Sequence, residues 1–168
     1  MDLEGSEKKI LIFCGGRGSG ELANQLVERG HDVTVCVNAY DDGLSTGRLR
    51  QMFDCLGPSD IRKNLLSLMD LDAAGYWSRY EAFSYRYDAD EARAAEFRRE
   101  LELISTGTDN GGTRTSEFAR LLGRTSDEFC EVATRFLNVF WSRLLISELN
   151  QGTQFSFSDC AVGNLILL

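Results

Sequence analysis

Histidine and proline each occur once in this chain, as His31 and Pro58. A lone imidazole leaves a Cys/His zinc site short of ligands, and Ser-His-Asp chemistry has no support in the sequence. His31 itself falls at a helix-to-strand turn and reads as an exposed side chain. The five cysteines, Cys14, Cys36, Cys55, Cys130 and Cys160, are odd in number and show no Cys-x-x-Cys spacing. They read as small buried thiols in a reducing cytoplasm rather than as a disulfide framework. Basic excess is missing too. Eighteen Lys and Arg against 26 Asp and Glu give a net charge of −8. That balance argues against a nucleic-acid partner, which normally leaves a basic footprint. Locally, though, Arg48, Arg50, Arg62 and Lys63 lie close together in sequence. No apolar run reaches the roughly 18 residues that cross a bilayer. The polar, acidic residues 1–9 are not a signal peptide. The expectation is a cytoplasmic protein with no membrane partner, folded as one domain over 1–168.

What is present is strongly patterned at the start. Lys8-Lys9-Ile10-Leu11-Ile12-Phe13-Cys14 is a short apolar run bounded by charge and glycine, and it reads as a buried strand. Ser19 or Gly20 opens a helix to about residue 28, with Leu22, Ala23, Leu26 and Val27 on one face and Gly30 at its C′ position. Residues 32–38 are β-branched and apolar and form a second strand. Strand, helix and strand with tight connections make a βαβ unit, hence a parallel pair with a right-handed crossover.

Further on, 48–53 reads as a short helical turn. Gly57-Pro58-Ser59-Asp60 then punctuates, and Ser59 or Asp60 caps a helix to about residue 69, with Ile61, Leu65, Leu66 and Leu68 apolar. Residues 76–150 read as a mostly helical insertion. Within it, Phe97, Leu101 and Ile104 form a thin apolar stripe, and 106–115 reads as a mobile glycine-rich loop. The clearest helix is 126–150. Its face is expected at Phe129, Val132, Phe136, Phe140, Leu144 and Leu145, and Gly152 stops it. Phe155-Ser156-Phe157 reads as a third strand, Asp159 as the cap of a turn, and Gly163-Asn164 as the opening of the last apolar segment. That segment ends uncapped at Leu168. It is therefore expected to bury against a second copy or a further C-terminal segment.

Two loops can carry chemistry. Gly15-Gly16-Arg17-Gly18-Ser19-Gly20 joins the first strand to the first helix. Glycines there permit φ > 0 and remove side chains that would hold phosphate away, and the helix N-terminus offers free N–H groups. Neither standard motif fits, because Glu21 stands both where a dinucleotide fingerprint needs its third glycine and where a P-loop needs lysine. A phosphate-bearing nucleotide is the reading that this order of elements favours over an empty tight turn. Asp41 and Asp42 follow the second strand, with Asp41 23 residues beyond Gly18. Acids so placed bind ribose or a divalent cation; a solvated Asp-Gly turn is the plain alternative. Ser45, Thr46, Gly47 and Arg48 can cradle an anion, or Arg48 is a surface charge. Asp60 reads either as a helix cap or as a polar group of the same site. The aromatics Tyr76, Trp77, Tyr80, Phe83, Tyr85 and Tyr87 read as core or lid rather than as a stacking platform.

Taken together, four stretches resemble the 2-phospho-L-lactate transferase (CofD-like) family. They are Gly15-Gly16-Arg17-Gly18-Ser19-Gly20; Asn38 to Arg50 with its Asp-Asp-Gly…Ser-Thr-Gly-Arg-Leu-Arg string; Gly57-Pro58-Ser59-Asp60-Ile61-Arg62; and Ala161-Val162-Gly163-Asn164-Leu165. The family also contains gluconeogenesis-factor-like proteins that bind UDP-sugars. The resemblance implies an α/β fold, a Rossmann-like parallel sheet. It also implies transfer of a phospholactyl group from a guanosine diphosphate donor to a deazaflavin acceptor, with Mg2+ and release of GMP. Carried over, Gly15, Gly16, Gly18 and Ser19 would hold phosphate. Asp41 and Asp42 would lie at the catalytic, Mg2+-binding end. Ser45, Thr46, Arg48, Asp60 and Arg62 would line the nucleotide pocket, and Asn164 would close it. A non-catalytic UDP-sugar or nucleotide-binding regulator on the same fold is the alternative. The chain departs from the pattern at Arg17, Ser19, Leu44 and Ser59, and its helical insertion carries no family motif. Family members continue past Gly163-Asn164, so the resemblance implies an N-terminal fragment.

Overall fold

In the computed structural model, which describes residues 6–16, 18–106 and 116–168, β1 (Lys9–Cys14) runs directly into the glycine loop and α1 (Ser19–Glu28) leaves it. α1 ends in a Schellman turn. Gly30, at φ 79°, donates its N–H to Val27 O at 2.8 Å, and His31 donates to Leu26 O at 3.1 Å. The chain thereby reverses into β2 (Asp32–Val37), which lies parallel to β1 with Lys9 opposite Asp32 and Cys14 opposite Val37. The expected βαβ unit is therefore formed. Asn38 N–H donates to Cys14 O at 2.8 Å, which sets the exits of both strands side by side.

The sheet is less buried than the sequence suggests. Ile10 and Ile12 are partly covered, but Leu11 is 53% and Phe13 79% exposed. α1 and α3 (Pro58–Ser67) pack on each other and against these strands from one side. A parallel strand is buried throughout only where helices cover both faces. The same open face leaves Cys14 and Cys36 half-buried; of the five free thiols only Cys160 is fully buried. His31, at the end of that turn, is half-buried rather than exposed, and its Nδ1 is buried without a hydrogen-bond partner. Among the described residues no third strand forms. Phe155 and Phe157 instead wedge both rings into the helical core, edge-on to each other at 5.0 Å, with Phe157 edge-on to Phe97 at 4.8 Å.

α2 (Leu44–Phe53) is a full helix, where the sequence suggests only a short turn from 48. α3 is capped by neither Ser59 nor Asp60. Gly57 is its N-cap and Pro58 its first residue, the position where a missing N–H costs nothing. Gly57 is required by crowding: a Cβ there would lie 2.8 Å from Asp41 O and 3.0 Å from Thr46 Cγ2. Its N–H donates to Ala39 O at 2.8 Å, so α3 starts against the loop that follows β2.

The remaining helices are α4 (Tyr76–Ser84), α5 (Glu91–Thr106), α6 (Glu117–Leu122), α7 (Asp127–Gln151) and α8 (Val162–Ile166). The loop expected at 106–115 lies, from residue 107 on, outside the described residues. Ser126 caps α7 by accepting from Phe129 N–H at 3.3 Å, and Gly152, at φ 65°, ends it. The buried face of α7 is Ala133, Leu137, Phe140, Trp141 and Leu144, while Val132, Phe136 and Leu145 face out. α7 is apolar over more than one face, and packing against α5 selects which face turns inward. Arg98 of α5 grips Glu148 of α7 with two bonds at 2.7 and 2.5 Å, and Glu148 also accepts from Phe155 N–H at 2.7 Å. That grip fixes α5, α7 and the chain leading to α8. No helix among the described residues is long and apolar enough to cross a membrane.

Candidate functional site

The expected site residues gather on two faces of α3 and at the loop after β2. On the first face, the polar residues Asp60, Lys63, Asn64 and Ser67 recur at helical spacing and meet the glycine loop and α1. Asn64 is buried and donates from Nδ2 to Gly15 O at 2.9 Å and to Asp60 O at 2.8 Å. Its Oδ1 accepts from Cys14 Sγ at 3.4 Å and from Ser19 Oγ at 3.5 Å. One side chain thus ties the end of β1, the loop and the start of α1 to α3. Beneath Gly16 lies an ion pair, Asp60 Oδ1 with Lys63 Nζ at 2.8 Å. A Cβ on Gly16 would sit 2.0 Å from that Oδ1 and 2.8 Å from Nζ. The Gly16 backbone thus lies directly over the pair, and a larger residue would have to push these two side-chain ends aside. Gly18, at φ 91°, turns the chain into α1 as an N-cap with no side-chain cap. Gly20 rests on Ser67, where a Cβ would come within 2.3 Å of the serine Cβ. The first turn of α1 therefore opens beside an uncluttered backbone, the arrangement that suits an anion.

The other face of α3 carries Arg62. It is 6% exposed and donates from Nε to Asn164 Oδ1 at 2.9 Å. Gly163 lets α8 approach, since a Cβ there would lie 2.7 Å from Arg62 Cδ and 2.3 Å from Phe83 O. Arg62 has no ion-pair partner among the described residues. Burial, and then the charge of Arg86, pull its pKa below the usual guanidinium value. Asn164 is fully buried and its Nδ2 has no partner. An orphaned buried donor of this kind costs about 1–3 kcal/mol. Arg48 donates from Nη2 to Ser158 O, and its Nε is buried and unpartnered. Arg86 donates from Nη1 to Asp159 O at 2.6 Å and to Asp159 Oδ1 at 2.9 Å. Three guanidinium groups from three parts of the chain thus converge on residues 158–164, with Asp159 the carboxylate among them. In an acidic protein this is a concentrated positive region. Cys160 lies in its midst, its thiol pushed up to about 12 chiefly by burial.

The third group is the loop after β2. Asp41 Oδ1 accepts from Gly43 N–H at 3.1 Å, forming an Asx turn at the mouth of α2. Asp42 Oδ1 pairs with Arg50 Nη1 at 2.9 Å and is largely exposed. Ser45 and Thr46 are buried in the first turn of α2, the Thr46 methyl against Gly57. Parallel pairing brings this loop to the same sheet edge as the glycine loop. Among the described residues no three His, Cys, Asp or Glu side chains gather as a ready-made metal cage. A separate cleft of about 280 Å³ between α2 and α7, lined by Phe53, Cys55, Phe140 and Arg143, holds none of the expected site residues.

Lys63 and Asn64 join the glycine-loop group, although neither is among the site residues that the sequence suggests. The signal is present but subtle: with the helix starting at Pro58, positions 60, 63, 64 and 67 share one polar face.

The family model of 2-phospho-L-lactate transferase CofD matches residues 10–142. A gluconeogenesis factor of Bacillus subtilis is 41% identical over 68 residues, 40% of this chain and 22% of that protein. One from Listeria innocua is 31% identical over 85 residues, 51% of this chain and 25% of that protein. One from Halalkalibacterium halodurans is 35% identical over 66 residues, 39% of this chain and 20% of that protein. The chain thus spans a quarter or less of the length of these relatives. No solved structure matches. With a match that runs from β1 through most of α7, the chain belongs to the 2-phospho-L-lactate transferase CofD family.

Proposed function

We propose that the protein is a Mg2+-dependent transferase that moves a phospholactyl-type group from a nucleoside diphosphate donor to a deazaflavin-type acceptor and releases a nucleoside monophosphate. The observation that carries this reading is the glycine loop. Its backbone is pinned by Asn64, lies at Gly16 directly over the Asp60–Lys63 pair, and opens onto the N-terminus of α1. Such a loop binds phosphate through N–H groups and the helix dipole. Gly15, Gly16, Gly18 and Ser19 hold the phosphate chain in this reading. Arg62 and Asn164, with Arg48 on the same segment, present donors to negative charge, and the unpartnered Asn164 Nδ2 is a donor awaiting an acceptor.

Asp41 and Asp42 are the residues that would hold Mg2+. Their donor set fits, because Mg2+ is commonly bound by one or two carboxylates and completes its shell with water and substrate phosphate. When bound, Mg2+ neutralises charge on phosphoryl oxygens. The chain's own contribution is to position the donor along the loop and to keep the acids at the neighbouring edge. The protein works in this reading on small-molecule nucleotides in the cytoplasm.

The names of the matched relatives, gluconeogenesis factors rather than transferases, favour a second reading on the same site: a regulatory protein that binds a UDP-sugar or another nucleotide without turnover. Calorimetric titration with GDP, GTP, UDP-N-acetylglucosamine and a deazaflavin, each with and without Mg2+, separates the two. Mg2+-dependent binding of guanosine nucleotide, with GMP released when a phospholactyl donor and deazaflavin are supplied, is the transferase result. Binding of the UDP-sugar alone, without turnover, is the regulator result. Absence of any nucleotide binding by the full-length protein contradicts both.

A further inference from the structure

We propose that Lys63 is the cation that meets the ligand's phosphate at the glycine loop, steered there by Asp60. The inference deepens the nucleotide reading of this site and rests on it. A P-loop carries its lysine at the start of the helix after the glycines; α1 carries Glu21 in that place. The structure supplies a lysine from α3 instead. Lys63 Nζ lies where a methyl group on Gly16 would be 2.8 Å away, so the ammonium sits against the loop backbone itself.

Asp60 explains why a cation is needed there. Its carboxylate is closer still to Gly16, at 2.0 Å from the same hypothetical Cβ. A carboxylate at that range, left alone, repels an incoming phosphate. Lys63 cancels that charge through the 2.8 Å pair and keeps donors in reserve. An ammonium has three N–H groups, and Asp60 takes one of them. The Lys63 side chain is 29% exposed and that of Asp60 13%, so the lysine is the member of the pair that reaches solvent. The pair therefore works as a guide. Asp60 holds the ammonium over Gly16, and its remaining N–H groups point to the class of ligand: a phosphate ester or diphosphate, bound by its charge and not by its base.

The test is calorimetric titration of the full-length protein with GDP, UDP, guanosine and uridine, comparing wild type with Lys63→Met, Lys63→Gln and Lys63→Arg. Thermal melting checks each fold, and two neutral variants guard against one that misfolds. The expected result is a loss of roughly 10–100-fold in affinity for whichever diphosphate the wild type binds, in both neutral variants. The matching nucleoside is expected to bind unchanged, Lys63→Arg to keep most of the affinity, and the dependence on salt to flatten when the charge is removed. Undiminished diphosphate binding in a folded neutral variant overturns the role of Lys63 and leaves the nucleotide reading standing. Equal losses for nucleoside and diphosphate overturn it too, because they show a packing effect. A wild type that binds no nucleotide at all overturns this proposal and the nucleotide reading together.

Discussion

Glu100 shows how much a single side chain can be asked to do in this chain. It is nearly buried on α5, where its carboxylate accepts from Tyr87 OH at 3.2 Å, from Ala119 N–H at 3.3 Å and from Ser116 Oγ. All three partners are neutral. Burial raises its pKa above the ordinary 4.5, and the bonds from Tyr87 and Ala119 offset this only in part. A carboxyl with a raised pKa in the folded state binds its proton more tightly there than in the unfolded chain. Its contribution to stability is therefore complete below the unfolded value and is lost as pH rises through the folded-state value. Glu100→Gln is expected to flatten the fall in stability above pH 4.5. Urea unfolding at several pH values checks this; an unchanged slope contradicts it. Asn64 and Lys63 make a related point at the glycine loop. Nothing in their residue types marks them as special, and their roles follow from which face of α3 they occupy. The acids Asp41 and Asp42 and the glycines of the first loop stand out in the sequence because each group follows a strand, and parallel pairing brings the two loops to one sheet edge.

At the scale of elements, periodicity located the helices better than it located their faces. α1 begins at Ser19, and α7 runs from its Ser126 cap to Gly152, as the caps and stops in the sequence suggest. The inward face of α7 was less legible. Phe140 and Leu144 belong to both the expected and the observed stripe, but Val132 and Phe136 point outward and Leu137 and Trp141 inward. A helix with apolar residues on more than one face has no preferred side until a neighbour supplies one, and here α5 does. The distinction is measurable. Leu137→Ala is expected to cost about 2–5 kcal/mol, as a fully buried leucine does. Val132→Ala, on the outward face, is expected to change stability by less than about 1 kcal/mol. Chemical denaturation of the two variants decides which face is the core face. Phe155 and Phe157 were misread for a similar reason: aromatics at spacing two suit a strand, but these two rings plug a gap between helices.

For the whole molecule, the βαβ start is the most legible part, since apolar β-branched runs, the glycine turn and Gly30 at the end of α1 all point the same way. What could not be read was the division of the site. α3 stands between the glycine loop and the arginine-rich segment at 158–164, and it presents a different set of polar residues to each. Sequence order places Asp60 and Arg62 two residues apart; the helix turns them to opposite sides. At the N-terminal end of α3, Gly57 brings the Asp41 loop close.

The central claim is that the glycine loop is a phosphate site whose close backbone approach is essential. The most direct measurement is calorimetric titration of GDP, in Mg2+, into the wild type and into Gly16→Ala. A Cβ at that position would displace the Asp60 carboxylate and the Lys63 ammonium beneath the loop. The account predicts binding to the wild type and a loss of at least roughly tenfold in a folded Gly16→Ala variant. Equal binding by the two, or none by the wild type, contradicts it.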